Sequence, residues 1–374
     1  MKYILCIGSN TDPEKNMKLA VEELTRHFPQ IRFSSEQTSE PMGTLRSDWF
    51  LNRAACFDTD IPYEEVRAIT KEIERMAGRT PDEKYKEIIR LDVDILQAGS
   101  QRFKEHDWQQ PYVQRLINQL QLRFVGIIPA RYASTRFPAK PLALLGGKPV
   151  IQRVYEQVAG VLDDAYVATD DERIYQAVEA FGGKVVMTST HHKSGTDRCW
   201  EAFQKIGGQF DVVVNIQGDE PFIQPSQLET VRACFLDPQT QIATLAMPFT
   251  ADAGIQAVDN PNVVKMVVSA NMHALYFSRS IIPFQRNVDK ADWLSHHIYY
   301  RHIGLYAYRA EVLQQITALP QSFLEVAESL EQLRWLENGY TIKVGVTHTE
   351  TIGIDTPEDL ERAEAFLQSL NAKV

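Results

Sequence analysis

The strongest constraint on this chain lies at residues 124–140, which read F-V-G-I-I-P-A-R-Y-A-S-T-R-F-P-A-K. Residues 124–128 are a short apolar run of the kind that makes a strand buried on both faces of a parallel sheet. Pro129 has no N–H to give a ladder and is expected to stop that strand. The loop that follows carries Arg131, Arg136 and Lys140 among the small residues Ala130, Ala133, Ser134 and Thr135. Small residues let a backbone come close to a ligand, and three cations concentrate positive potential. Ligands of open α/β sheets bind beyond the carboxyl ends of the strands. This loop is therefore where a polyphosphate would sit. It fits neither G-x-x-x-x-G-K-[ST] nor G-x-G-x-x-G, and a solvated cationic loop is the competing explanation.

The chain beyond Lys140 keeps alternating between strand and helix patterns. Pro149 marks a helix start, and Val150, Val154 and Val158 follow at spacing four. Residues 165–169 read as a strand ending at Asp170, and a helix with Ile174, Val178 and Phe181 runs to Gly182-Gly183. Residues 184–187 and 211–216 are further strands, the second leading into Gln217-Gly218-Asp219-Glu220-Pro221. This alternation predicts a doubly wound, mostly parallel α/β sheet. Asp219 then lies at the carboxyl end of one strand. Asp355 is placed at the end of a late strand, before Thr356 as a helix N-cap and Pro357 as the first helical residue. Two carboxylates meeting in the ligand crevice repel unless a cation lies between them. For either aspartate alone a structural turn serves equally well. His192-Lys193-Ser194-Gly195-Thr196-Asp197-Arg198 adds small donors and cations. A lone histidine such as His302 is more often structural than functional.

Residues 1–120 have a different rhythm. Residues 3–7 form an apolar strand, Gly8-Ser9-Asn10 a turn, and Met17, Leu24 and Phe28 the inner face of a helix. Strands are expected at 31–38, 50–57 and 91–96, with a helix over 63–76. The order β-α-β-β-α-β is the split βαβ or ferredoxin-like arrangement. Asp92 and Asp94, two apart on a strand, share a face and would bind Mg²⁺ or stand solvated. Phe50 and Asn52 share another. Val113, Leu116, Ile117 and Leu120 make one helical stripe, and Arg123-Phe124 follow with no flexible linker. Two domains are expected, 1–120 and 121–374. The net charge of −10 excludes a general nucleic-acid binder, which needs a basic face. The four scattered cysteines form no metal or disulfide spacing, as expected for a reducing cytoplasm. No apolar run is long enough for a signal peptide or a membrane span.

The N-terminal pieces, Gly8-Ser9-Asn10, Phe50-Leu51-Asn52 and Leu91-Asp92-Val93-Asp94, resemble 6-hydroxymethyl-7,8-dihydropterin pyrophosphokinases. The resemblance implies that Phe50 and Asn52 face a pterin and that Asp92 and Asp94 bind Mg²⁺-ATP. Glu74 takes the family's acidic helix position, and Arg79 and Arg90 stand where arginines belong. The family's closing loop carries a tryptophan and further arginines. Residues 79–90 here, R-T-P-D-E-K-Y-K-E-I-I-R, lack them, and the pterin-stacking tail is reduced to Pro111-Tyr112-Val113. The implied domain keeps its fold, and its kinase activity is expected to be weak or absent, leaving a pterin-binding or purely structural module.

Residues 124–370 resemble 3-deoxy-manno-octulosonate (Kdo) cytidylyltransferases. The matching pieces are I-I-P-A-R-Y-A-S-T-R-F-P-A-K-P-L, A-T-D-D, H-K-S-G-T-D-R, V-N-I-Q-G-D-E-P, A-L-Y-F-S-R, R-H-I-G-L-Y-A-Y-R, L-E-Q-L-R and I-D-T-P-E-D-L, in order. The resemblance implies transfer of a cytidylyl group from CTP to Kdo for lipopolysaccharide synthesis, by a cytoplasmic homodimer. Arg131, Arg136 and Lys140 would hold the triphosphate, with Ala130, Ser134 and Thr135 alongside. Asp219 and Asp355 would hold Mg²⁺. Ser194, Gly195, Thr196, Arg198 and Gln217 would read cytosine and ribose. Arg136, Arg279, His302, Tyr306, Glu331 and Gln332 would receive the sugar acid. Sialic-acid cytidylyltransferases and sugar-1-phosphate nucleotidylyltransferases share the fold and remain alternatives.

Overall fold

The computed structural model describes residues 1–40, 49–80, 88–133, 137–207, 210–350 and 352–371. Ser134, Thr135 and Arg136 lie outside the described residues, as does most of the segment between Arg79 and Arg90. The chain divides into two units, the first Met1–Leu122 with Phe235–Pro238 and the second Arg123–Cys234 with Gln239–Val374.

The first unit runs β1 (Lys2–Ser9), α1 (Pro13–His27), β2 (Arg32–Phe33), β3 (Gln37–Ser39), β4 (Phe50–Asp58), α2 (Tyr63–Met76), β5 (Asp92–Ala98), β6 (Gln101–Arg102), α3 (Glu105–Trp108) and α4 (Pro111–Gln121). Its sheet has the order β2-β4-β1-β5-β6, with β3 also on β4, and its pairs are antiparallel. That is the ferredoxin-like layout expected. Tyr3, Leu5 and Ile7 alternate along β1 onto one face, where they meet Met17 and Leu24 of α1 and Val66 and Ile73 of α2. The strand expected at 31–38 is broken in two. Ser34 N still donates to Ala54 O at 2.9 Å, but the Ser34 Oγ accepts from Ala54 N at 2.9 Å and the Ser34 carbonyl from Arg53 Nε at 2.6 Å, so side chains take two of the ladder's places.

The second unit continues with β7 (Phe124–Ala130), β8 (Leu144–Leu145), β9 (Lys148–Pro149), α5 (Val150–Ala159), β10 (Asp164–Thr169), α6 (Glu172–Ala180), β11 (Val185–Met187), α7 (Gly195–Ile206), β12 (Val212–Asn215), α8 (Pro225–Cys234), β13 (Ile242–Pro248), α9 (Ile255–Asp259), β14 (Lys265–Val268), β15 (Ala274–Ser278), α10 (Trp293–His296), β16 (Tyr300–Arg309), α11 (Ala310–Thr317), α12 (Phe323–Glu328), α13 (Glu331–Glu337), β17 (Ile342–Val346) and α14 (Pro357–Asn371). The main sheet has the order β11-β10-β7-β12-β16-β13-β17. Strands β11, β10, β7 and β12 are parallel, β16 runs against both its neighbours, and β17 is parallel to β13.

Two expectations are corrected here. Pro129 does not end β7. It sits within the strand opposite Ala168 of β10, whereas the pairing with β12 stops at Ile127. The missing N–H therefore falls where one side of the ladder is already gone. Asp355 does not end a strand. It lies in the irregular stretch between β17 and α14, where the Asp359 carboxylate accepts from the N–H groups of Asp355 and Thr356 at 3.0 and 2.9 Å. Thr356 Oγ1 accepts in turn from Asp359 N. The helix-capping turn sets this carboxylate, and no strand does.

Candidate active site

The carboxyl ends of β7 and β12 build the first half of the site in the second unit. After β7 the chain loops out and returns through a hydrogen bond from Ala139 N to Tyr132 O at 3.0 Å. Ala139 has φ 59°, which turns the chain sharply into the one-turn helix starting at Lys140. After β12, Gly218 lies against the end of β7, and a Cβ on it would stand 2.7 Å from Pro129 O. Only glycine allows the Asp219 turn to sit this close. The second half comes from the chain before α14, tied on by a main-chain hydrogen bond from Ile354 N to Asp219 O at 2.9 Å.

This assembly brings three predicted residues to one point. Lys140 Nζ lies 2.5 Å from Asp219 Oδ2 and 3.1 Å from Asp355 Oδ1. The lysine side chain is 13% exposed, against 29% and 48% for the aspartates. Two carboxylates from distant segments thus converge on the Lys140 ammonium, where the sequence had led to the expectation of a metal ion. Among the described residues no group of three or more His, Cys, Asp or Glu is arranged to hold a metal by itself. Asp219 and Asp355 supply two hard oxygens, which suits Mg²⁺, an ion that keeps waters and takes substrate phosphates as its other ligands. Arg131 is elsewhere on the rim: its Nη2 donates to His192 O at 2.7 Å.

The segment 194–198 opens α7. Ser194 is its N-cap and accepts from Asp197 N at 3.1 Å. Gly195 sits beside Asn215, at the end of β12, whose Oδ1 is buried with no hydrogen-bond partner among the described residues. Asn215 was missed in the sequence, although it stands in V-N-I-Q at a strand's carboxyl end. Thr196 Oγ1 donates to Glu331 Oε2 at 2.6 Å, and Arg334 Nη2 donates to Glu331 Oε1 at 2.7 Å. Burial pushes the Glu331 carboxyl up from its ordinary pKa, and those two partners oppose the shift. Gln332 next to it is buried. Gln217 Nε2 reaches Gly304 O at 3.4 Å. This joins the turn after β12 to the part of β16 that extends past β12.

Three predicted contacts have other occupations. Arg198 is fully buried, donating to Asp170 Oδ2 at 2.7 Å and Thr188 Oγ1 at 2.6 Å. These two partners enclose its guanidinium. The Arg279 guanidinium donates to the carbonyls of Glu328, Pro261 and Ser329 at 2.8, 3.0 and 3.5 Å, and so clasps two loops. His302 lies between Phe277 and Tyr306, its Nε2 2.9 Å from Thr244 Oγ1. Thr244 Oγ1 is also within hydrogen-bond reach of Leu305 O, at 2.8 Å. Burial pushes the imidazole down to about 3, and the ring is neutral.

In the first unit, Gly8-Ser9-Asn10 is an anchor: Asn10 N donates to Ile89 O, and Ile89 N to Asn10 Oδ1, at 2.9 and 2.8 Å. Asn52 is buried, with Nδ2 donating to Ser39 Oγ at 2.8 Å; Phe50 beside it is half-buried. Glu74 is a bracket between α2 and β5, accepting from Val93 N at 2.9 Å and Lys71 Nζ at 2.6 Å. Arg79 pairs with Glu74 at 2.9 Å and Asp92 at 2.5 Å, and Lys104 pairs with Asp94. Arg90 lies 3.9 Å from Asp12. Burial pushes Asp92 up, but the Arg79 charge and hydrogen bond more than offset it and hold the carboxyl below its usual range. Burial and the Asp92 charge raise Asp94 to about 6. Lys104 was missed, because it lies beyond the strand on the left-handed residue before α3.

Two family models match the chain: cytidylyltransferase over residues 125–352 and 7,8-dihydro-6-hydroxymethylpterin-pyrophosphokinase over residues 4–145. A 3-deoxy-manno-octulosonate cytidylyltransferase of Phocaeicola vulgatus is 76% identical over 247 residues, 66% of this chain and 98% of the relative. One from Escherichia coli is 47% identical, over 65% of this chain and 95% of the relative. A solved structure of CMP:2-keto-3-deoxy-manno-octonic acid synthetase complexed with CTP aligns with TM-score 0.61 and 44% identity, over 66% of this chain and 99% of its own.

Proposed function

The chain belongs to the cytidylyltransferase family, and on that footing we propose that its second unit transfers the cytidylyl group of CTP to 3-deoxy-manno-octulosonate. The anomeric hydroxyl oxygen of the sugar acid attacks the α-phosphorus. The bond to the β-phosphate breaks, pyrophosphate leaves with the electron pair, and the hydroxyl proton passes to solvent water. No covalent enzyme intermediate is needed, so positioning and charge stabilisation are the protein's work. Lys140, with Arg131 and Arg136, neutralises the triphosphate and the leaving pyrophosphate. Asp219 and Asp355 would hold a Mg²⁺ ion, which when bound would polarise the α-phosphate. Gly195 and Thr196 at the start of α7 lie on the nucleotide side. Tyr306, Glu331 and Gln332 lie on the sugar side, with Arg279 and His302 holding its walls. The product feeds lipopolysaccharide synthesis, and the reading includes a homodimer in the cytoplasm.

What carries this reading is the match to relatives of that name along nearly their whole length. Pyrophosphate release tests it across four nucleoside triphosphates and several sugar acids. CTP with Kdo is expected to be the fastest pair by far. Faster turnover of sialic acid or of a sugar 1-phosphate would overturn the substrate while leaving the fold intact.

For the first unit we propose a pterin pyrophosphokinase-like domain with weak or absent activity. Residues 79–90, which lack the tryptophan and further arginines of the pyrophosphokinases' closing loop, support this. The expected result is little AMP from ATP and hydroxymethyldihydropterin, and no change in CMP-Kdo formation for Asp92→Ala. Robust AMP formation that Asp92→Ala abolishes would make the chain bifunctional.

A further inference from the structure

Asp219 and Asp355 are already bridged by an ammonium group, and that has a consequence for how a metal reaches them. The Lys140 ammonium touches both carboxylates, at 2.5 and 3.1 Å, and it is the least exposed of the three groups. Its backbone is fixed by the short helix it begins and by the hydrogen bond from Ala139 N to Tyr132 O just before it. A divalent cation seated between the same two oxygens would lie within a few ångströms of this ammonium, where like charges repel strongly in a partly dehydrated cleft. The metal therefore cannot simply add. The ammonium has to leave, and it leaves at least cost when another anion is there to receive it. A nucleoside triphosphate is such an anion, and its oxygens also complete the coordination of a hard cation.

We propose that Lys140 is a resident counter-ion that occupies the divalent-cation position in the nucleotide-free protein and is exchanged onto the triphosphate, so that metal enters with the nucleotide and not before it. This rests on the reading that Asp219 and Asp355 hold the cation. It gives one lysine two successive partners: the carboxylates in the empty site and the phosphates in the filled one.

The test measures metal binding directly, on the full chain. Mn²⁺ replaces Mg²⁺ as the probe, and free Mn²⁺ is followed by electron paramagnetic resonance without nucleotide. Binding that survives Asp219→Asn is subtracted, which removes any contribution of Asp92 and Asp94. Lys140→Met is expected to bind Mn²⁺ about tenfold or more tightly than wild type, the factor that goes with losing one close repulsive contact. Lys140→Arg should bind it as weakly as wild type. Wild-type affinity should rise by a similar factor when a non-hydrolysable CTP analogue is added. Equal Asp219-dependent affinity in wild type and Lys140→Met overturns the exchange but leaves the metal site standing. No Asp219-dependent binding in any variant, with or without the analogue, overturns the metal site and the exchange together. Should Lys140→Met fail to fold, the Lys140 ammonium is followed by NMR in ¹⁵N-lysine protein, assigned by its loss in Lys140→Arg. Its signal should stay in place with Mg²⁺ alone and move with Mg²⁺ and the analogue together. Movement with Mg²⁺ alone overturns the proposal.

Discussion

Asp219→Asn and Asp355→Asn are each expected to lower kcat by roughly 10²-fold or more, the loss that follows removal of one preorganised electrostatic contact. Each change is isosteric and removes charge from a side chain that is only partly enclosed, so both variants should fold. The main-chain bond from Ile354 to Asp219 and the cap made by Asp359 do not depend on either carboxylate. The double variant should be little worse than either single one, because both side chains act on one cation. The measurement is kcat against Mg²⁺ concentration for wild type, both singles and the double. Near-normal activity in either single, or effects that multiply in the double, would show that the two aspartates do not act on a shared ion.

Arg198→Met is expected to cost stability on the order of 3–5 kcal/mol, the range for removing one partner of a buried ion pair. The side chain is fully buried and paired with Asp170, so its loss leaves a carboxylate with little water and no counter-charge. For a unit of this size that corresponds to roughly 10 °C in the midpoint of thermal unfolding. The transition to follow is the one that CTP shifts, which identifies the second unit. A variant as stable as wild type but with a raised KM for CTP would restore Arg198 to the nucleotide pocket, where its place in H-K-S-G-T-D-R had put it.

Arg198 also shows where reading from sequence stops. Strand and helix positions were legible because the apolar periodicities are strong. Helix α2 runs over Tyr63–Met76, the span its pattern predicts, and Val113, Leu116, Ile117 and Leu120 are all buried. The broken strand at Ser34 was not legible, since a serine side chain that takes over ladder hydrogen bonds has no periodic signature. The meeting of Asp219 and Asp355 was expected from two strand ends, but Asp355 comes to it from the turn before α14 and not from a strand. The direction of Lys140 was not legible, because a lysine beside phosphate-binding residues can equally face the ligand or fold back onto carboxylates. Arg279 and His302 teach the same lesson. Residue type and motif brought them to the site, but carbonyls of Glu328 and Pro261 hold the one and Thr244 the other. No local pattern announces a side chain's partner when that partner is distant in the chain.

The placement of β16 between β12 and β13 bears on how the molecule is made. On a ribosome, residues 212–215 emerge long before residues 300–309, their neighbour in the finished sheet. Until then the four-residue strand Val212–Asn215, wholly buried in the end, presents a bare and strongly apolar edge. Such an edge is a template for pairing with another chain. Its short length limits that hazard, and the contacts that finally cover it are of the slow, non-local sort. The crevice that gathers Lys140, Asp219 and Asp355 thus depends on late arrivals, and a nascent chain crowded by its own copies is most at risk while that edge is waiting.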